Sequence, residues 1–159
     1  MDERRTKARQ LAAEALEDLG SPDMPIEIPL RKAIRVATLM GHAYWRAWFT
    51  LQTRDIGTDS NPADVKDRLA SMIGDEQAAK EALEKVALDY MRSRSLRSHP
   101  DKIYGPSVAD LEAFVQRNSM LMNLSPPTDV RAIMDELRNM LSGIRSRLHD
   151  YLLDVESTG

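Results

Sequence analysis

Cysteine is absent from this chain of 159 residues. Its absence excludes disulfides, thiolate metal sites and a cysteine nucleophile, and it fits a reducing cytoplasm. Long apolar runs are missing too: none approaches the roughly 20 residues a membrane span needs, and Met1 is followed by Asp-Glu-Arg-Arg rather than by an apolar signal core. There is no excess of positive charge, the formal net charge being −3, which argues against a generally nucleic-acid-binding surface while leaving room for a local basic patch. No glycine-rich phosphate loop, nucleophile elbow or paired-carboxylate signature is present. The three histidines, His42, His99 and His149, lie far apart, and none has a second ligand type at a helical spacing, so neither a metal nor a cofactor is expected. A soluble, cytoplasmic protein without membrane contact is the expectation.

What the chain does contain points to helices. Charged residues make up 30% and aromatics 5%, beside many Leu, Ala and Met, the profile of a helical domain. The longest pattern runs from Thr128 to about Glu156. There Val130, Met134, Leu137, Leu141, Ile144, Leu148, Tyr151 and Val155 alternate in steps of four and three, which keeps them on one helical face that must be buried. Residues 2–19 form an amphipathic pattern closed by Gly20. Ser21–Pro29, with three prolines, reads as an extended connector. Helix resumes at Leu30 and breaks at Gly41-His42 into a second helix that carries both tryptophans, Trp45 and Trp48, as core residues. Ile56–Asn61 reads as a loop, Pro62 to about Ile73 as a short helix, and Asp75 to about Arg94 as a longer one. Residues 95–106 are irregular, and Ser107 caps the helix that follows. The reading is an all-α, single-domain bundle of about six helices over residues 1–159 with a long C-terminal helix, its core centred on Trp48, Leu137, Leu141, Ile144 and Leu148.

Three groups of residues stand out as candidate sites. Arg92, Arg94, Arg97, His99 and Lys102 form a basic segment suited to an anion or a partner. Arg94 and His99 are separated by four residues, which resembles the Arg-x4-6-His motif of HEPN ribonucleases; there the histidine would act on the ribose hydroxyl and the arginine on the phosphate. Pro100, directly after His99, ends the helix that this motif normally occupies. On the terminal helix, Arg131, Asp135, Arg138, Ser142, Arg145 and His149 make a polar stripe, read as a solvent face. Tyr151, Leu152, Leu153 and Val155 put apolar groups on more than one face of that helix. A helix about 40 Å long outruns a domain of this size, so its C-terminal end is expected to overhang and to pair with a second copy in a symmetric dimer.

Three stretches together resemble the AbiTii-type domain of bacterial abortive-infection proteins. Ala13–Trp48 gives a first helix, a connector, then a leucine-and-arginine helix followed by glycine and tryptophan. Tyr90–Glu112 gives an arginine-bearing helix end, a Tyr-Gly-Pro turn and an acidic-leading helix. Leu141–Glu156 follows the pattern hydrophobic, arginine, serine, arginine, hydrophobic, histidine, aspartate. The similarity spans nearly the whole chain. It departs at Leu51–Gly57, where the family usually has a glutamate-leucine pair and then Gly-Tyr, and no tyrosine follows Gly57. The resemblance implies anti-phage defence, in which such a domain senses, docks or oligomerises. The expected function is therefore a non-enzymatic interaction module with a protein partner, an RNA-cleaving toxin using Arg94 and His99 being the alternative and a nucleic-acid contact the lesser expectation.

Overall fold

The computed structural model describes residues 2–60, 63, 67, 68, 77–96, 103–124 and 128–157. Among them lie six named helices: α1 (Glu3–Gly20), α2 (Glu27–Met40), α3 (Ala43–Gln52), α4 (Gln77–Ser93), α5 (Val108–Met122) and α6 (Thr128–Ser157). The expected all-α bundle with a long final helix is what the chain forms. Two short strands accompany it, β1 (Gly57–Ser60) and β2 (Ile103–Gly105), paired antiparallel with a bulge between Thr58 and Ser60. The stretches read as loop and as irregular segment thus contain a small ladder, whose four and three residues are too few for strand periodicity to show in sequence. The helix expected over Pro62–Ile73 lies outside the described residues except for Ala63, Asp67 and Arg68, which are helical.

Local chemistry sets the helix ends. The Asp2 carboxylate accepts the Arg4 N–H at 3.0 Å and caps α1. Gly41 ends α2 at φ 71°, with its N–H directed to the Thr38 carbonyl and the His42 N–H to that of Ala37, a left-handed cap that also turns the chain into α3. Ser107 caps α5 through the Asp110 N–H at 3.2 Å. The connector is shorter than expected: α2 begins at Glu27 and takes Pro29 into its first turn, where a missing N–H costs nothing.

One hydrophobic core joins all six helices, α5 contributing Val108 and Leu111. Leu137, Ile144 and Leu148 of α6 are buried in it together with Trp48, as the stripe requires, whereas Leu141 is only half-buried. The two ends of α6 behave oppositely to expectation. Tyr151, Leu152 and Val155 are buried at 5%, 0% and 3% exposure: Tyr151 packs on Trp45 and Phe49 of α3, and α1 lies antiparallel alongside, tied by Arg9 Nε donating to the Glu156 carbonyl; Leu153 alone of that group is exposed. At the other end Val130 is exposed, and Leu124 before it stands at 76% exposure. The overhanging apolar groups therefore sit at the start of α6, and the C-terminal end is covered within the chain. No helix among the described residues is long and apolar enough to cross a membrane.

Candidate interaction site

The aromatic residues gather where α3 meets α6. On α3, Trp45 and Phe49 are one turn apart and stack at 5.4 Å between centroids, and Tyr151 of α6 closes on both at 5.2 and 5.1 Å. Trp48 meets Trp45 and Phe49 edge-on. The helical period explains this grouping: positions 44, 45, 48, 49 and 52 share one broad face of a single helix, so a short element delivers four rings to one place.

Arg147, one turn before Tyr151, lies across the outer side of this cluster. Its guanidinium carbon is 4.3 Å from the Trp48 centroid, 5.0 Å from that of Trp45 and 5.9 Å from that of Tyr44. The electron-rich ring faces attract the cation, and partial burial strengthens the attraction. Arg147 Nη2 also donates to Tyr44 Oη at 2.7 Å, and that hydroxyl donates in a short bond to Asp89 of α4. Lys85, one turn before Asp89, places its ammonium 5.5 Å from the Tyr44 ring. Burial pushes the Tyr44 hydroxyl up, Asp89 adds to the rise, and Arg147 opposes it, so the phenol stays protonated and remains the donor of the relay. Tyr151 is likewise raised, by burial first and then by Asp154, and its hydroxyl meets His42 Nδ1 at 2.8 Å. His42, Tyr44, Trp45 and Arg147 are all half-exposed, as are Leu39 and Met40 at the neighbouring α2–α3 corner. The face is a fixed plate of aromatic and cationic groups whose polar tips hold one another in position.

The inner end of the same α3 face carries a different arrangement. Arg94, just past the end of α4, is completely enclosed; its Nη2 donates to Gln52 Oε1 at 2.7 Å and its Nη1 to the Pro106 carbonyl at 2.7 Å and the Tyr104 carbonyl at 3.4 Å. The guanidinium packs over the Tyr90 ring one turn earlier, at 5.3 Å. Burial pulls Arg94 below its ordinary pKa, but a guanidinium starts high enough to remain a cation at neutral pH. Arg94 Nε, Gln52 Nε2, Trp48 Nε1 and Tyr90 Oη are buried without a hydrogen-bond partner among the described residues. Three of them are N–H donors, and the fourth is a phenol that can both donate and accept.

This placement corrects the basic-patch expectation at its centre. Arg94 is not an exposed cation offered to a phosphate; it staples the β2 segment to α3 and α4. Arg92 is exposed, and Arg97, His99 and Lys102 lie outside the described residues. The ribonuclease reading required Arg94 on a shared open surface with His99, and the arginine is instead consumed by protein carbonyls. Sequence reasoning missed Gln52, Tyr44, Asp89 and Arg147. Gln52 left a trace, as a polar residue one turn after Trp48 on an otherwise apolar face; Arg147 left none, because its role comes from three elements converging. Of the polar stripe on α6, Arg131, Asp135, Arg138, Ser142 and His149 are exposed as read, whereas Arg145 reaches back to donate in a short bond to the Leu19 carbonyl at the end of α1.

No family model matches this chain, and neither a curated protein nor a solved structure matches it.

Proposed function

We propose that this chain is a helical protein-interaction module of a bacterial anti-phage defence system, acting by docking a protein partner on the face built by Tyr44, Trp45, Lys85 and Arg147. The observation that carries the docking reading is the half-exposed Trp45 and Tyr44 under a stacked Arg147. Tryptophan, tyrosine and arginine are the residue types that dominate binding energy at protein interfaces. Here their rotamers are fixed before any partner arrives, by ring packing on one side and by the Arg147–Tyr44–Asp89 relay on the other, so docking loses little side-chain entropy. The defence setting comes from the AbiTii-type resemblance alone, and a protein partner, whether an effector or a phage component, is what that setting calls for.

The test is a phage challenge of a bacterial strain expressing the chain. Protection should fall steeply with Trp45→Ala, since a hot-spot residue contributes about 2 kcal/mol or more, roughly thirtyfold in affinity. Lys85→Glu, at an exposed rim position, should weaken it less, with circular dichroism unchanged in both. A chain that leaves plaque counts unaltered removes the defence reading; protection that survives Trp45→Ala removes the docking face.

A further inference from the structure

A second surface, separate from the aromatic face, lies at the far end of α1. The connector residues Pro22–Pro25 form one wall of a groove of about 710 Å³, α5 forms the other through Glu112, Val115 and Gln116, and Leu141 of α6 contributes to its floor. Met24, Val115 and Leu141 give it a half-buried apolar lining. Its charged groups are of one sign, the ionisable residues that line it being Asp23, Glu27 and Glu112. Pro22 and Pro25 have no N–H to present; among the described residues, Asp23 is exposed with no partner and Glu112 is a half-buried carboxylate whose one hydrogen bond is accepted from the Ile26 N–H at 2.9 Å. Glu27, also on the rim, is paired with Arg31. Arg145 exerts a charge influence on Glu112, but its guanidinium is engaged with the Leu19 carbonyl. The charge of the groove is therefore negative, with Gln116 and Ser119 adding neutral polar groups.

The complement stands on the same helix. The first turns of α1 carry Arg4, Arg5 and Lys7, all exposed, and no hydrogen bond or ion pair engages their side chains among the described residues. The backbone N–H groups of a helix start add further positive character there, offset in part by Asp2 and Glu3. The helix has 18 residues, so about 27 Å separates this basic end from the connector that follows Gly20. The two cannot meet within one molecule.

We propose that the groove receives the basic N-terminal end of α1 from a second copy of the chain, joining copies head to tail. The aliphatic stems of arginine and lysine lie on Met24, Val115 and Leu141 while their charged heads reach Asp23 and Glu112. Each copy keeps one free head and one free groove, so the contact is heterologous and propagates until it closes into a ring or ends as a filament. A contact confined to one groove and one helix end is small, so association is weak and depends on salt.

Sedimentation velocity over micromolar to submillimolar concentrations tests this. The expected result is a concentration-dependent series of species larger than a dimer, reversed when salt is raised enough to shorten the Debye length from about 10 Å to about 3 Å. Two double variants disable one side each: Arg4→Glu with Arg5→Glu removes the head, and Asp23→Lys with Gln116→Lys fills the groove with cations, all four positions being exposed. Each variant alone should be monomeric. Mixed, they should form a one-to-one complex that grows no further, because the live groove of the first takes the live head of the second. A parent chain that stays monomeric at every concentration overturns the proposal, as does a dimer that persists in both variants or two variants that ignore each other. Binding of an unrelated arginine-rich peptide by a parent chain that does not self-associate would make the groove a site for a basic partner instead, and would equally overturn the head-to-tail contact.

Discussion

An arginine enclosed in a protein interior must find acceptors, and Arg94 finds two carbonyls and a side-chain amide in place of a carboxylate. Planarity makes this workable. The guanidinium directs separate N–H groups at Gln52 and Pro106 at once, holding α3 to the β2 segment, and an ammonium on a flexible stem cannot reproduce the fork. Arg94→Lys should therefore lower stability by about 1.5–3 kcal/mol, the worth of a hydrogen bond to a charged group lost in a buried place. Denaturant melts followed by circular dichroism measure it. A midpoint equal to the parent's would mean that the guanidinium does not tie the strand to the helices. The same interior explains why residue type alone misled: in an arginine-rich stretch, sequence cannot say which arginine turns inward, and the choice fell to the residue one turn after Tyr90, which the helix aims at α3.

At the scale of elements, glycine shows how position decides the sign of one substitution. Gly41 holds φ 71° at the α2 cap, and a β-carbon there would find open space, so the cost of Gly41→Ala is purely conformational, about 1–2 kcal/mol. Gly143 sits inside α6 on its solvent side, also with open space around it, where alanine removes backbone entropy from the unfolded chain. Gly143→Ala should stabilise by roughly 0.5–1 kcal/mol. Thermal or denaturant melts of the two variants should shift in opposite directions. A shared direction would show that the α2–α3 corner or the middle of α6 is built differently from this description.

At the scale of the whole molecule, the fold is decided by α1 lying along α6. That contact converts the C-terminal apolar residues from a free surface into core, and adjacent leucines report it. Leu152→Glu puts a carboxylate into a fully buried position and should cost upwards of about 3 kcal/mol, enough to unfold a marginal domain, whereas Leu153→Glu, at 48% exposure, should stay within about 0.5 kcal/mol. Two variants of equal stability would mean that α1 does not cover this end. Self-association, if it uses the groove beside α5, should be indifferent to Leu153→Glu.

The chain by itself determined its class: the three-and-four stepping of α6, the Gly41 break and the Ser107 cap are local, because helix periodicity and capping depend on residues a few positions apart. It also marked Trp48, Ile144 and Leu148 as interior, since an apolar stripe has one destination. What it left open was which of several amphipathic faces covers which. Burial of Tyr151 and Leu152 depends on α1 and α3, from the early part of the chain, packing against α6, enclosure of Arg94 depends on β2 crossing the end of α4, and the Arg147 plate depends on α3, α4 and α6 meeting at one corner. Those are contacts between elements that each satisfy their own periodicity in several arrangements, and only packing them all at interior density selects one.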